Sequence, residues 1–404
     1  MKPETDPQIE ISEHPSDPDR SFVIPEGRPT LAEINLDNLI HNFRLMKEAA
    51  GMDVAVMPAL KADAYGHGAT QCARALKRAG ANWFGVALPE EGFKLRDAAI
   101  EIPILCMGGF WEGQESLLLS RRLTPAIFRI DLLEKLDRAA RSANVVADYH
   151  LKVDTGMGRL GVPWTDIGNF LHEISSLKNI RLDGVMSHFA SADEPEKESF
   201  TVEQMTRFDE AVDRVLSFGH RPRWIHEANS AAAHAYPRSR QNLVRPGGVI
   251  YGLWRDVVNL AVPPLDWRPV MSLRTQINLV KRVDKETPLG YGGTFITKRE
   301  SRIATLAIGY EDGLRRGLSN HGQVIVCGEF APIIGRISMD LTIIDVTDIP
   351  DAKIGDEVVI IGKQGAREIN AEQIAAELET ISYEITCGIS DRVPRVYIGA
   401  VSKG

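Results

Sequence analysis

The chain has 404 residues, of which 44% are hydrophobic and 25% charged, and a formal net charge of −8. It is longer than one usual domain and has the composition of an ordinary globular protein. The acidic balance argues against nucleic acid or an anionic membrane surface as the main partner and favours a small molecule. No apolar stretch approaches the roughly 20 residues that a spanning helix needs.

Residues 1–28 begin MKPETDPQIEISEHPSDPDRSF, rich in proline and acids, and read as a flexible tail. The stretch lacks the basic start and apolar core of a secretory signal, so a cytoplasmic location is expected. From residue 29 to 265, short apolar runs alternate with amphipathic stretches, the pattern of repeated βα units. VAVMPAL comes first, followed by ATQCARALKRAGA, whose Ala69, Cys72, Ala73, Leu76 and Ala79 share one helical face. WFGVAL, IPILCMG, TPAIFRI, YHLKVD, LDGVMSH, WIHEANS and a beat within LVRPGGVIYG follow. Helices are expected in DLLEKLDRAARSA, DIGNFLHEISSL and VEQMTRFDEAVDRVLSF. Eight beats match an α/β (β/α)8 barrel of the TIM type, and a doubly wound open sheet is the alternative.

Residues 266–404 change texture. MSLRTQINLVKRV, SRIATLAIGY, QVIVCGE, APIIGRISMDLTIIDV and DEVVIIG are Val- and Ile-rich runs punctuated by glycine, so a mainly β domain is expected, with one helix in NAEQIAAELE. Cys72, Cys106, Cys327 and Cys387 are scattered without a C-x-x-C pair, and His220, His226 and His234 lack the spacing of paired ligands. No metal is expected.

In a barrel of this kind active sites sit where strands end, so the polar residues after each run are the candidates. Lys61 in LKADAYGHG follows the first run, Arg159 the fifth, His188 the sixth, Asn229 and Ser230 the seventh, and Arg245 lies beside the eighth in RPGG. Taken singly, each has an ordinary role: a solvated strand end, a surface cation, a core histidine, a helix cap. Together they place a lysine opposite a glycine-rich anion site, which fits pyridoxal phosphate held by a lysine Schiff base.

With those residues assembled, the sequence from about residue 29 onward resembles the alanine racemase family. LKADAYGHG is similar to its cofactor-lysine motif, which implies Lys61 as the Schiff-base lysine and Tyr65 as a phosphate ligand. In KVDTGMGRLG the resemblance implies that Arg159 meets the substrate carboxylate and that Lys152, carbamylated in some relatives, supports it. It implies Arg245 facing the pyridine nitrogen, His188 linked to it, and Asn229, Ser230 and Gly247 in the cofactor turns. LGYGGTF supplies Tyr291 as the second base, and GRISMD supplies Met339 and Asp340 at the substrate mouth. Ser338 stands where a cysteine is frequent. In CGISDRVPR, Asp391 stands where a tyrosine is expected, which implies a more open pocket and turnover of serine beside alanine.

The resemblance implies racemisation of alanine by two bases, Lys61 for the D-substrate and Tyr291 for the L-substrate, in a homodimer with shared active sites, supplying D-alanine for peptidoglycan. The alternatives are a broader amino-acid racemase, a decarboxylase or aldolase of the same plan, and a cofactor-binding protein without catalysis. Arg245 and Tyr291 favour the racemase, and the β-domain disfavours the last.

Overall fold

Strand β1 (Leu31–Asn35) is the first element and leads into helix Leu36–Ala50 in the computed structural model, which describes residues 27–399. The expected tail therefore lies outside the described residues, apart from its last two positions. The chain divides into two compact units: residues up to Asn38 join with Pro269 onward, and Leu39–Arg268 form the other. β1 is thus grouped with the later, β-rich unit. β1 pairs antiparallel with β11 (Met271–Val283) and parallel with the strand Arg395–Ile398, so its backbone groups are satisfied by the β-unit.

Leu39–Arg268 contain the eight expected strands: β2 (Ala55–Val56), β3 (Phe84–Val86), β4 (Ile104–Cys106), β5 (Thr124–Ile127), β6 (Ala147–Asp154), β8 (Ile180–Met186), β9 (Trp224–His226) and β10 (Leu243–Val244); the short β7 (Val162–Pro163) pairs with β6. β3 to β9 form one parallel sheet, and β2 pairs with β10. The ring closes through an Ala59–Gly85 bridge on one side and the Arg245 N–H donating to Ala228 O at 2.9 Å on the other. The unit is thus a closed barrel, not an open sheet. Ala55, Met57, Trp83, Leu105, Ala126, Met186 and Leu243 from around the ring form one buried cluster. The expected amphipathic stretches form helices, among them Ala69–Arg78, Ile130–Ser142, Ile167–Glu173 and Glu198–Ser217.

In the β-unit, β11 lies between β1 and the strand Glu357–Gln364, and also pairs with Ser301–Leu306. The expected helix spans Ala371–Glu377, closed at its start by a capping box of Asn370 and Gln373. A second helix, Ser382–Cys387, is short enough that periodicity gave no sign of it.

Candidate active site

Lys61 does not close a strand as expected. It opens a left-handed turn: Ala62, Asp63, Ala64 and Tyr65 have φ of 51°, 52°, 56° and 55°. Each such residue without glycine costs about 1–2 kcal/mol, so the turn persists only because its surroundings hold it. Glu91 accepts from the Ala62 N–H at 2.6 Å and, through its other oxygen, from Ala87 and Leu88. Asp63 accepts from the Ala69 N–H at 2.8 Å, and Gly68 N–H donates to Asp63 O at 2.9 Å. The turn puts Lys61 at the barrel rim and sends the Tyr65 ring inward, against Tyr251 at 5.0 Å.

Beside that turn, where β9 and β10 end next to β2, is a cradle. Asn229 caps helix Ser230–Ala235 by accepting from the Ala232 N–H, and Ser230 Oγ accepts from the Gly247 N–H at 2.9 Å. Gly247 is required by close approach: a Cβ there would stand 2.3 Å from the Tyr65 hydroxyl. Two hydroxyls, a helix start and a side-chain-free backbone thus converge.

Arg245, 4% exposed, reaches from the end of β10 to the ends of β8 and β9. Its Nη1 donates to His226 Nδ1 at 2.7 Å, and its Nη2 to Ser187 O at 2.6 Å and Glu227 O at 3.1 Å. The contact with His188 Nδ1 is longer, 3.4 Å. Burial lowers the guanidinium to about 10, with Glu227 acting in the opposite sense. Burial, then Arg245, Lys152, Lys61 and Arg159, hold His188 well below its ordinary value, so it is a neutral imidazole at pH 7.

Lys152, 7% exposed, lies within β6 two residues before its end and donates to Met107 O at 3.2 Å. Burial, followed by the charges of Arg245, Arg159 and Lys61, lowers its amine to about 8. Arg159 is exposed in the loop after β6. Four cations around one mouth form a field that a dianionic phosphate and a carboxylate would neutralise, and the cradle beside the lysine turn matches a phosphate ester. These residues fit pyridoxal phosphate.

The candidates from the β-unit form a separate group. Tyr291 is 71% exposed, in a turn where Gly290, Gly292 and Gly293 all have positive φ. Met339 is exposed, and the Ser338 and Met339 carbonyls accept from the Tyr310 and Glu311 N–H groups at 3.0 and 3.1 Å. Arg392 donates to Asp340 at 2.8 Å and lies 3.7 Å from buried Asp312, which Arg28 also binds. Asp391 is exposed.

Three residues of the barrel site escaped the sequence reading. Glu91 braces the lysine turn, Tyr251 donates to Ala59 O at 2.8 Å, and His226 holds Arg245. The only signal for His226 was its place in the seventh run, where it was weighed as a metal ligand rather than as a partner for a guanidinium.

A closed (β/α)8 barrel with a rim lysine beside a phosphate cradle, followed by a mainly β unit, defines a pyridoxal-phosphate enzyme of the barrel type. Residues 34–254 match the model of the alanine racemase N-terminal domain, and residues 270–397 that of the alanine racemase C-terminal domain. The alanine racemase of Halothermothrix orenii is 46% identical over 372 residues, 92% of this chain and 97% of that one. The crystal structure of alanine racemase from Streptomyces lavendulae superposes with a TM-score of 0.86 at 35% identity, covering 93% of this chain and 99% of that one. That of Bartonella henselae, with covalently bound pyridoxal phosphate, gives 0.83 at 28% identity, covering 92% and 100%. The chain belongs to the alanine racemase family.

Proposed function

We propose that the protein interconverts L-alanine and D-alanine with pyridoxal phosphate held at Lys61. The observation that carries this reading is the left-handed turn that fixes Lys61 beside the cradle of Tyr65, Ser230 and Gly247. When bound, the cofactor supplies an electron sink that drains negative charge from the substrate α-carbon. Tyr65, Ser230, Asn229 and the Gly247 backbone hold the phosphate end. Arg159 binds the substrate carboxylate, with Lys152 beneath it. Arg245, a donor-only guanidinium, would serve the ring end of the cofactor, where such a group would leave the pyridine nitrogen unprotonated and restrain side reactions.

Racemisation requires a proton to leave one face and return on the other. Lys61 Nζ carries the proton on the D-face, and Tyr291 on the L-face. An ordinary tyrosine titrates near 10, so Tyr291 needs activation, which His188, neutral and linked to Arg245, supplies by hydrogen bonding. Tyr291 is exposed on its own chain, a poor setting for a base, and this supports a homodimer in which it enters the partner subunit's site beside Met339 and Asp340. A D-amino-acid product suits peptidoglycan synthesis in the cytoplasm.

Lys61→Ala tests the assignment. The wild type should be yellow and retain the cofactor covalently after borohydride reduction, and the variant should lose both the reducible colour and turnover of either alanine enantiomer. Trapping at another lysine would refute the role of Lys61.

A further inference from the structure

The hydrogen bonding of Arg245 continues below the site into the barrel interior. His226 Nε2 lies 2.8 Å from His150 Nδ1, with the two rings edge-on at 4.9 Å and both residues fully buried. A guanidinium has only donors, so His226 Nδ1 must accept from Arg245. A neutral imidazole that accepts at Nδ1 carries its proton at Nε2, which therefore donates to His150 Nδ1. His150 in turn holds its proton at Nε2, and the facing group there is Asp183, whose Oδ2 is 3.9 Å away. Both histidines lie far below their ordinary range, His150 at about 3, through burial and the charge of Arg245, so neither competes with the guanidinium as a cation.

The barrel is shaped around this pair. His150 stands opposite Gly184 in the β6–β8 ladder, where a Cβ would come within 2.7 Å of the imidazole. The register shifts between Tyr149 and His150, which re-aims the side chain, and the Trp83 ring packs against it at 5.4 Å. The polar pair is costly to bury, because His150 Nε2 has no hydrogen-bond partner among the described residues. An apolar filling of the same volume would avoid that cost, so packing alone does not account for two imidazoles here.

We propose that His150 is a positioning residue for Arg245: acting through His226, it locks one tautomer and so holds the guanidinium in a single orientation toward the cofactor ring. The contacts of Nη1 and Nη2 anchor the group from below, and among the described residues none occupies Nε. Without an acceptor at His150 Nδ1, His226 is free to take the other tautomer, which presents a donor to a donor and releases Arg245. The inference rests on the proposed role of Arg245 in cofactor binding, whereas the tautomers can be read without turnover.

Long-range 1H–15N spectra of histidine-labelled holoenzyme test it first. His150 and His226 are expected as neutral Nε2–H tautomers from pH 6 to 9, and an Nδ1–H or cationic form of either would overturn the proposal. His150→Leu and His150→Asn are then compared, because asparagine keeps an acceptor near the Nδ1 position. In the leucine variant kcat should fall on the order of tenfold, about the worth of one hydrogen bond, with KM little changed and the visible cofactor band shifted. The asparagine variant should recover most of both. Equal losses in the two variants, with no change in the band, would show a packing role and overturn the proposal. Should His150→Leu fail to fold, Gly184→Ala displaces the same ring, and an unshifted His226 resonance in that variant would overturn it too. A protein with the expected tautomers that does not racemise alanine would instead refute the proposed function.

Discussion

Gly247 and the Tyr65 hydroxyl approach so closely that a single added methyl group would stand 2.3 Å from the oxygen. One residue belongs to the strained turn that carries Lys61 and the other to the turn after the last barrel strand, so this contact joins the lysine to the phosphate cradle. Gly247→Ala should force them apart at a cost of about 1–3 kcal/mol and weaken cofactor binding by about tenfold or more. Tyr65→Phe removes the oxygen, and the next ring atom is 3.1 Å from the added carbon. The double variant should therefore bind the cofactor better than the two single losses added together predict. Strict additivity in cofactor titrations would mean that the two residues do not meet in solution.

Lys152 sets a pH dependence. Its amine titrates at about 8 when folded and near the ordinary 10.5 when unfolded, so the unfolded chain binds more protons between these values. The cost of burying the charge is fully present below about pH 8 and fades as pH rises toward 10.5. The apoprotein should accordingly gain thermal stability over that window, and Lys152→Met should flatten the gain. At pH 8 about half of the amine is neutral and able to take up carbon dioxide, which would place an anion beside Arg159. A carbamate signal in 13C spectra with labelled bicarbonate, growing as pH rises through 8 and missing from Lys152→Met, is the expected outcome.

The exposure of Tyr291 makes complementation a direct test of shared sites. Lys61→Ala and Tyr291→Phe chains are each expected to be inactive for racemisation. After subunit exchange, mixed dimers should regain activity, since one of their two sites would contain both an intact lysine and an intact tyrosine. No recovery after exchange has been verified by mass spectrometry would mean that each chain completes its own site.

Arg392 is committed to Asp340 and Asp312, so the carboxylate of Asp391 is not neutralised by its neighbour. If Asp391 lines the substrate pocket, it can accept a hydroxyl hydrogen bond, and serine should be turned over beside alanine. Asp391→Tyr should then lower the serine-to-alanine ratio of kcat/KM by about tenfold to a hundredfold, the equivalent of about 1–3 kcal/mol. An unchanged ratio would remove Asp391 from the pocket.

The eight barrel strands, their helices and the switch to a β-unit were legible in the chain itself, because short apolar runs and helical spacing are local properties that burial in this fold preserves. Lys61, Arg159, His188, Asn229, Ser230 and Arg245 were legible for the same reason: each comes after a barrel strand, and strand ends meet on one rim. Tertiary structure alone decided the rest. Nothing local favours four successive left-handed residues after Lys61, and the turn exists because Glu91 and Asp63 satisfy its backbone. β1 precedes the first barrel strand in sequence, yet strands more than two hundred residues away, beginning at Met271, claim its hydrogen bonds. His150 and His226 sit in two separate runs, and only the lateral pairing of β6, β8 and β9 brings them together beneath Arg245. Periodicity reports which way a side chain faces, whereas its partner is set by the three-dimensional path of the whole chain.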